Sequence, residues 1–141
     1  MNLKMNLSSE ETLAYVFARH WRDENYRPDL RDIDWLRFVK LLTYNRMGML
    51  ALQVFTRVDA SIPPDAWKLI REQTERYERS ASKLGNALIT YLKSAEVHRV
   101  GTIPLKGLWL CEKIYGLPSM RPGGDIDILV RRTDVDTCLK L

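Results

Sequence analysis

The chain has 141 residues, enough for one domain or a small two-part arrangement. Apolar residues make up 45% and charged residues 28%, a balance that supports a packed core and excludes wholesale disorder. The net charge of +4 is spread thinly, with 16 basic against 13 acidic side chains over 1–100 and 6 against 5 over 101–141. No segment therefore reads as a dedicated nucleic-acid tail.

Residues 1–7 are too few and too polar for the apolar region of a secretion signal. The longest apolar stretch, 47–55, is interrupted by Gly48 and Gln53. It falls far short of the roughly 20 residues that a transmembrane helix needs, so no membrane partner is expected. Cys111 and Cys138 have no metal-ligand spacing and fall in expected helices. Two such cysteines without a signal read as reduced thiols of a cytoplasmic protein.

The pattern is helical up to about residue 100. Ser8 is a helix cap with Glu11 three residues on, the signature of a capping box, and Leu13, Val16, Phe17 and His20 or Trp21 follow on one side. Residues 25–31 contain Pro28 and read as a loop. Asp32 or Asp34 caps a second helix with Trp35, Phe38, Val39 and Leu42 on its apolar side. Asn45 and Gly48 break it, and Met49, Leu50, Val54 and Phe55 mark a third.

The longest element is expected over about 64–98. It starts at a proline, whose missing N–H would be unpaired in a first turn anyway. Trp67, Ile70, Thr74, Tyr77, Ala81, Leu84, Leu88, Tyr91 and Ala95 recur in steps of three and four. That spacing keeps one face buried, against neighbouring helices or along a dimer seam. Glu72 with Arg76 and Glu75 with Arg79 are i,i+4 pairs worth about 0.2–0.5 kcal/mol each. His20 and His98 read as packing or surface residues.

After Gly101 the pattern changes. Residues 102–106 read as a short strand, 107–115 as a helix, and 116–124 as a loop dense in turn residues. Residues 125–130 read as a second strand, and Thr133, with Asp136 three residues on, opens a last helix. The whole is an α+β chain, mostly helical, with a helical region over 1–100 and a strand-helix-strand-helix segment over 101–141.

Asp125 and Asp127 carry the candidate chemistry. Residues two apart in a strand point to the same face, so two carboxylates project together. Like charges that close are stable when solvated, partly protonated or holding a cation, and hard oxygen ligands suit Mg²⁺. Asp-x-Asp also occurs at 32/34 and 134/136, where helix capping accounts for it. Upstream, Lys106-Gly107 ends a strand and opens a helix, where backbone N–H groups can receive phosphate beside a positive charge. Arg121 can reach phosphates or pair with either aspartate, and Gly124 leads directly into Asp125.

The run Ile103-Pro104-Leu105-Lys106-Gly107, then Tyr115-Gly116-x-Pro118, then Arg121-x-x-Gly124-Asp125-Ile126-Asp127-Ile128-Leu129-Val130 resembles the uncharacterised bacterial nucleotidyltransferase family of the polymerase-beta-like superfamily. The motif resemblance covers about 100–141. The helical part resembles that family loosely, through a tryptophan opening a helix and a long helix before the first strand. The resemblance implies the beginning of a nucleotidyltransferase sheet after the helical region. It implies Lys106 and Gly107 as the phosphate turn, Arg121 and Gly124 beside the nucleotide, and Asp125 and Asp127 as catalytic ligands of Mg²⁺. An acceptor would attack the α-phosphate of ATP or another nucleoside triphosphate, releasing pyrophosphate.

Two departures stand out. The superfamily's glycine-serine is Gly107-Leu108 here, and its third carboxylate comes from a later strand that 101–141 does not contain. The expectation is therefore an incomplete core, finished by a partner chain or second copy, or a truncated pseudoenzyme. Two other readings compete: a non-catalytic helical interaction module, and an abortive-infection-type nucleotidyltransferase toxin, whose motif pattern is similar. The acceptor stays open among protein, metabolite, peptide and RNA.

Overall fold

The computed structural model describes residues 8–121 and 123–141; the expectations placed on residues 1–7 and on Pro122 lie outside them. The chain forms two compact units, Met1–Glu75 and Arg76–Leu141, and one long helix contributes to both.

The first unit is built from α1 (Ser9–His20), α2 (Trp35–Tyr44), α3 (Gly48–Val58) and the start of α4 (Pro64–Val97). The capping box forms as expected: the Glu11 N–H donates to Ser8 Oγ at 3.3 Å, and the Ser8 N–H donates to Glu11 Oε2 at 2.8 Å. Of the two aspartates that could cap α2, Asp34 does so, accepting from the Arg37 N–H at 3.1 Å. Asp32 instead takes a positive φ of 57° in the preceding turn. Asn45 closes α2, its backbone N–H and its side-chain Nδ2 both donating to the Leu41 carbonyl.

The core of this unit is aromatic. Phe17, Phe38 and Phe55 are all but fully buried and meet edge-on, with ring centroids 5.0–6.1 Å apart. Full burial of a phenylalanine contributes about 1.5–3 kcal/mol, and edge-on ring pairs add to that. Leu13, Leu42, Val54 and Ile70 complete the cluster, with Trp35 and Trp67 packed against it. Glu10, only 5% exposed, ties two helix starts together. Its Oε1 accepts from the Asp34 N–H at 3.0 Å and its Oε2 lies 3.7 Å from Arg37 Nε. Backbone hydrogen bonds hold the Glu10 carboxyl below the usual carboxylate range.

All nine stripe residues of α4, from Trp67 to Ala95, are buried or half-buried. The second unit holds the rest of α4, then β1 (Thr102–Pro104), α5 (Leu108–Tyr115), a 3₁₀ turn Pro118–Met120, β2 (Ile128–Val130) and α6 (Val135–Cys138). β1 and β2 pair antiparallel, Thr102 opposite Val130 and Pro104 opposite Ile128. The fold is thus the mostly helical α+β arrangement expected from the sequence. Buried Leu108, Cys111 and Met120 join α5 to the 3₁₀ turn. The Cys138 thiol beside Tyr91 on α4, with burial, pushes the Tyr91 phenol up to about 12.

The last helix begins differently from the expectation. Arg132–Asp134 forms a 3₁₀ turn first, closed by the Asp134 N–H on the Arg131 carbonyl at 2.9 Å, and the Thr133 hydroxyl donates to Asp134 Oδ1 at 3.0 Å instead of capping the helix. Among the described residues no helix is long and apolar enough to cross a membrane.

Gly48, expected to help end α2, opens α3 instead. The buried Gln73 carboxamide lies directly over it, with both amide atoms lacking a hydrogen-bond partner among the described residues. A Cβ at position 48 would collide with Gln73 Oε1. The clashing oxygen ends a flexible side chain, so Gly48→Ala should cost no more than about 1 kcal/mol in urea unfolding, the carboxamide's displacement being offset in part by alanine's better helix propensity. In a Gln73→Ala background the substitution should become neutral or stabilising by up to about 1 kcal/mol, and an unchanged cost would show the two sites to be uncoupled.

Candidate active site

The candidate site lies at one end of the β1–β2 pair. Strand pairing is shorter than the sequence suggests: residues 105–106 and 125–127 lie outside the strands proper. The reason is local. The Leu105 N–H donates to the Asp127 carbonyl at 3.0 Å, adding a last rung beyond Pro104–Ile128. After it, Gly107 turns away with φ 68° and ψ −131°, so Asp125 has no strand partner there.

That turn requires glycine, because L side chains rarely adopt this backbone conformation. Gly107 then starts α5 without any side-chain cap, its carbonyl accepting from the Cys111 N–H at 3.0 Å. The first N–H groups of α5 are therefore available to an anion. The backbone carbonyl of Asp125 stands beside the turn, 3.7 Å from where a Cβ on Gly107 would lie.

Lys106 and Asp127 meet directly. Lys106 Nζ lies 3.0 Å from Asp127 Oδ2, with the lysine 64% and the aspartate 35% exposed. The pair raises the Lys106 pKa, first through the hydrogen bond and charge of Asp127 and then through the charge of Asp125. Both carboxylates thus act on one ammonium group. Lys106, Gly107, Asp125 and Asp127 thus lie together at this end of the strand pair.

Arg121 and Gly124 are not drawn into it. Arg121 follows the 3₁₀ turn, its backbone carbonyl accepting from Cys111 Sγ at 3.8 Å. Among the described residues its guanidinium pairs with neither aspartate. Gly124 is exposed, with open space where a Cβ would point. Gly116 and Pro118 have structural work: Gly116 ends α5 at φ 68°, its N–H on the Glu112 carbonyl, and Pro118 starts the 3₁₀ turn.

A family model described as "Uncharacterised nucleotidyltransferase" matches residues 31–141. The chain belongs to this nucleotidyltransferase family. No curated protein and no solved structure matches it. The family implies a nucleoside triphosphate as substrate, and the matched span contains the whole Lys106–Asp127 constellation.

Sequence reasoning pointed Lys106 at phosphate and missed its ion pair with Asp127. The signal lies in the register: antiparallel pairing of Thr102 with Val130 sets Leu105 opposite Asp127, one residue from Lys106. Among the described residues no three His, Cys, Asp or Glu side chains gather as a metal cluster.

Space does not forbid a side chain at 107, because the nearest atom would be at ordinary contact distance. Gly107→Ala should still cost about 1–3 kcal/mol, all of it backbone conformation. Thermal or urea unfolding checks this, and a cost below about 0.5 kcal/mol would show that the turn relaxes freely.

Proposed function

We propose that this nucleotidyltransferase binds a nucleoside triphosphate at the Lys106–Gly107 turn and transfers its nucleoside monophosphate with Mg²⁺ held by Asp125 and Asp127. The observation that carries this reading is the meeting of turn, ammonium and carboxylates at one end of a strand pair. The uncapped start of α5 directs its first N–H groups toward triphosphate oxygens, and the helix dipole favours their negative charge. Lys106 adds a mobile positive charge next to that anion.

The donor set suits Mg²⁺. Two carboxylates already attract one cationic group, and Mg²⁺ commonly takes one or two carboxylates and completes its shell with water and substrate phosphates. When bound, it would neutralise triphosphate charge and favour ionisation of the attacking oxygen. In the transfer, an acceptor oxygen bonds to the α-phosphorus. The bond from that phosphorus to the bridging oxygen breaks, pyrophosphate leaves with the electron pair, and the acceptor proton passes to solvent. The N–H groups of α5 and Lys106 stabilise charge on the leaving pyrophosphate, and Asp125 and Asp127 fix the metal's position.

A thermal-shift titration with ATP, CTP, GTP and UTP, with and without Mg²⁺, tests this. A ligand that binds only the folded state should add about 2.7 kcal/mol at 100 times its dissociation constant. The expected stabilisation requires Mg²⁺ and disappears in Asp125→Asn/Asp127→Asn. Stabilisation that persists in the double variant would place the nucleotide elsewhere.

A further inference from the structure

We propose that Lys106 is the resident counter-cation of the aspartate pair, which a bare divalent metal must displace and which a metal-bound triphosphate draws away. The inference rests on the nucleotidyltransferase reading of the same site. It makes metal and nucleotide bind cooperatively rather than independently.

The geometry supplies the argument. Lys106 Nζ already occupies Asp127 Oδ2 at 3.0 Å. A divalent cation coordinated by that oxygen and an ammonium hydrogen-bonded to it would be like charges in near contact, so one excludes the other. Asp125 also acts on Lys106, so the lysine offsets part of the charge of both carboxylates. A metal arriving alone displaces the lysine, which gains only water in exchange for its carboxylate.

With a triphosphate the balance changes. Lys106 is adjacent to Gly107, whose turn opens the uncapped N-terminus of α5. The lysine is 64% exposed on a flexible four-carbon stem, so a short swing carries it from carboxylate to phosphate. It then exchanges one anionic partner for another, and the metal takes the aspartates unopposed. Each ligand removes the obstacle to the other, and linkage makes the effect reciprocal.

The test is Mn²⁺ binding, read by the electron paramagnetic resonance of free Mn²⁺, in wild type, Lys106→Met and Lys106→Arg. Without nucleotide, Lys106→Met should bind Mn²⁺ about twofold to fivefold more tightly than wild type, as expected when an exposed ion pair stops competing. Lys106→Arg keeps the charge and should resemble wild type. With the non-reacting analogue α,β-methylene-ATP present, the order should reverse, and Lys106→Met should hold the metal–nucleotide complex less tightly than wild type. Equal Mn²⁺ affinity of wild type and Lys106→Met without nucleotide overturns this inference alone. Mn²⁺ binding that is absent from both proteins, or that survives Asp125→Asn/Asp127→Asn, overturns the metal reading together with it.

Discussion

The antiparallel pairing of β1 with β2 is the constraint on which the candidate site depends. Its last rung joins the Leu105 N–H to the Asp127 carbonyl, and past that rung the two segments diverge. One bends through Gly107 into α5, and the other holds Asp125 beside the bend. An antiparallel pair brings the end of its first strand to the start of its second. In a parallel pair, Lys106 and Asp125 would stand at opposite ends of the strands. Three-residue strands are marginal by themselves, so the neighbouring elements share the burden. Leu108 and Cys111 on α5, with Met120 in the 3₁₀ turn, provide the buried apolar contact that follows β1 in the chain.

The electrostatics at this end are built from opposites held close to water. Asp125 and Lys106 are exposed and Asp127 is half-buried. Charges in such a position interact modestly and exchange partners readily, because solvent screens each arrangement about equally. The first unit uses a carboxylate differently. Glu10 is buried, and its partners are one backbone N–H and one arginine, so it serves as a fixed link between the starts of α1 and α2. Exposure separates a carboxylate suited to an exchanging ligand from one suited to holding structure.

Much of this was legible in the sequence, for identifiable physical reasons. Helix caps are local, so Ser8 with Glu11 fixed the start of α1. Periodicity is local too, so the Trp67–Ala95 stripe marked α4 within one residue at its end. The motif around Lys106, Asp125 and Asp127 carried the family, which the match over 31–141 establishes. Features set by contacts distant in sequence were less visible. The ends of β1 and β2 depend on where the partner strand diverges, and that is decided by the backbone of Gly107. The choice of Asp34 over Asp32 as cap depends on Glu10, 24 residues away. The position of Gln73 over Gly48 leaves no pattern in either segment.

The central claim is that nucleotide binds where the strand pair opens. Amide chemical-shift mapping by NMR with α,β-methylene-ATP and Mg²⁺ tests it most directly. The account predicts the largest shifts at Gly107, Leu108, Asp125 and Asp127, with α1 to α3 unchanged. Shifts concentrated in the first unit, with the Gly107 turn silent, would contradict it.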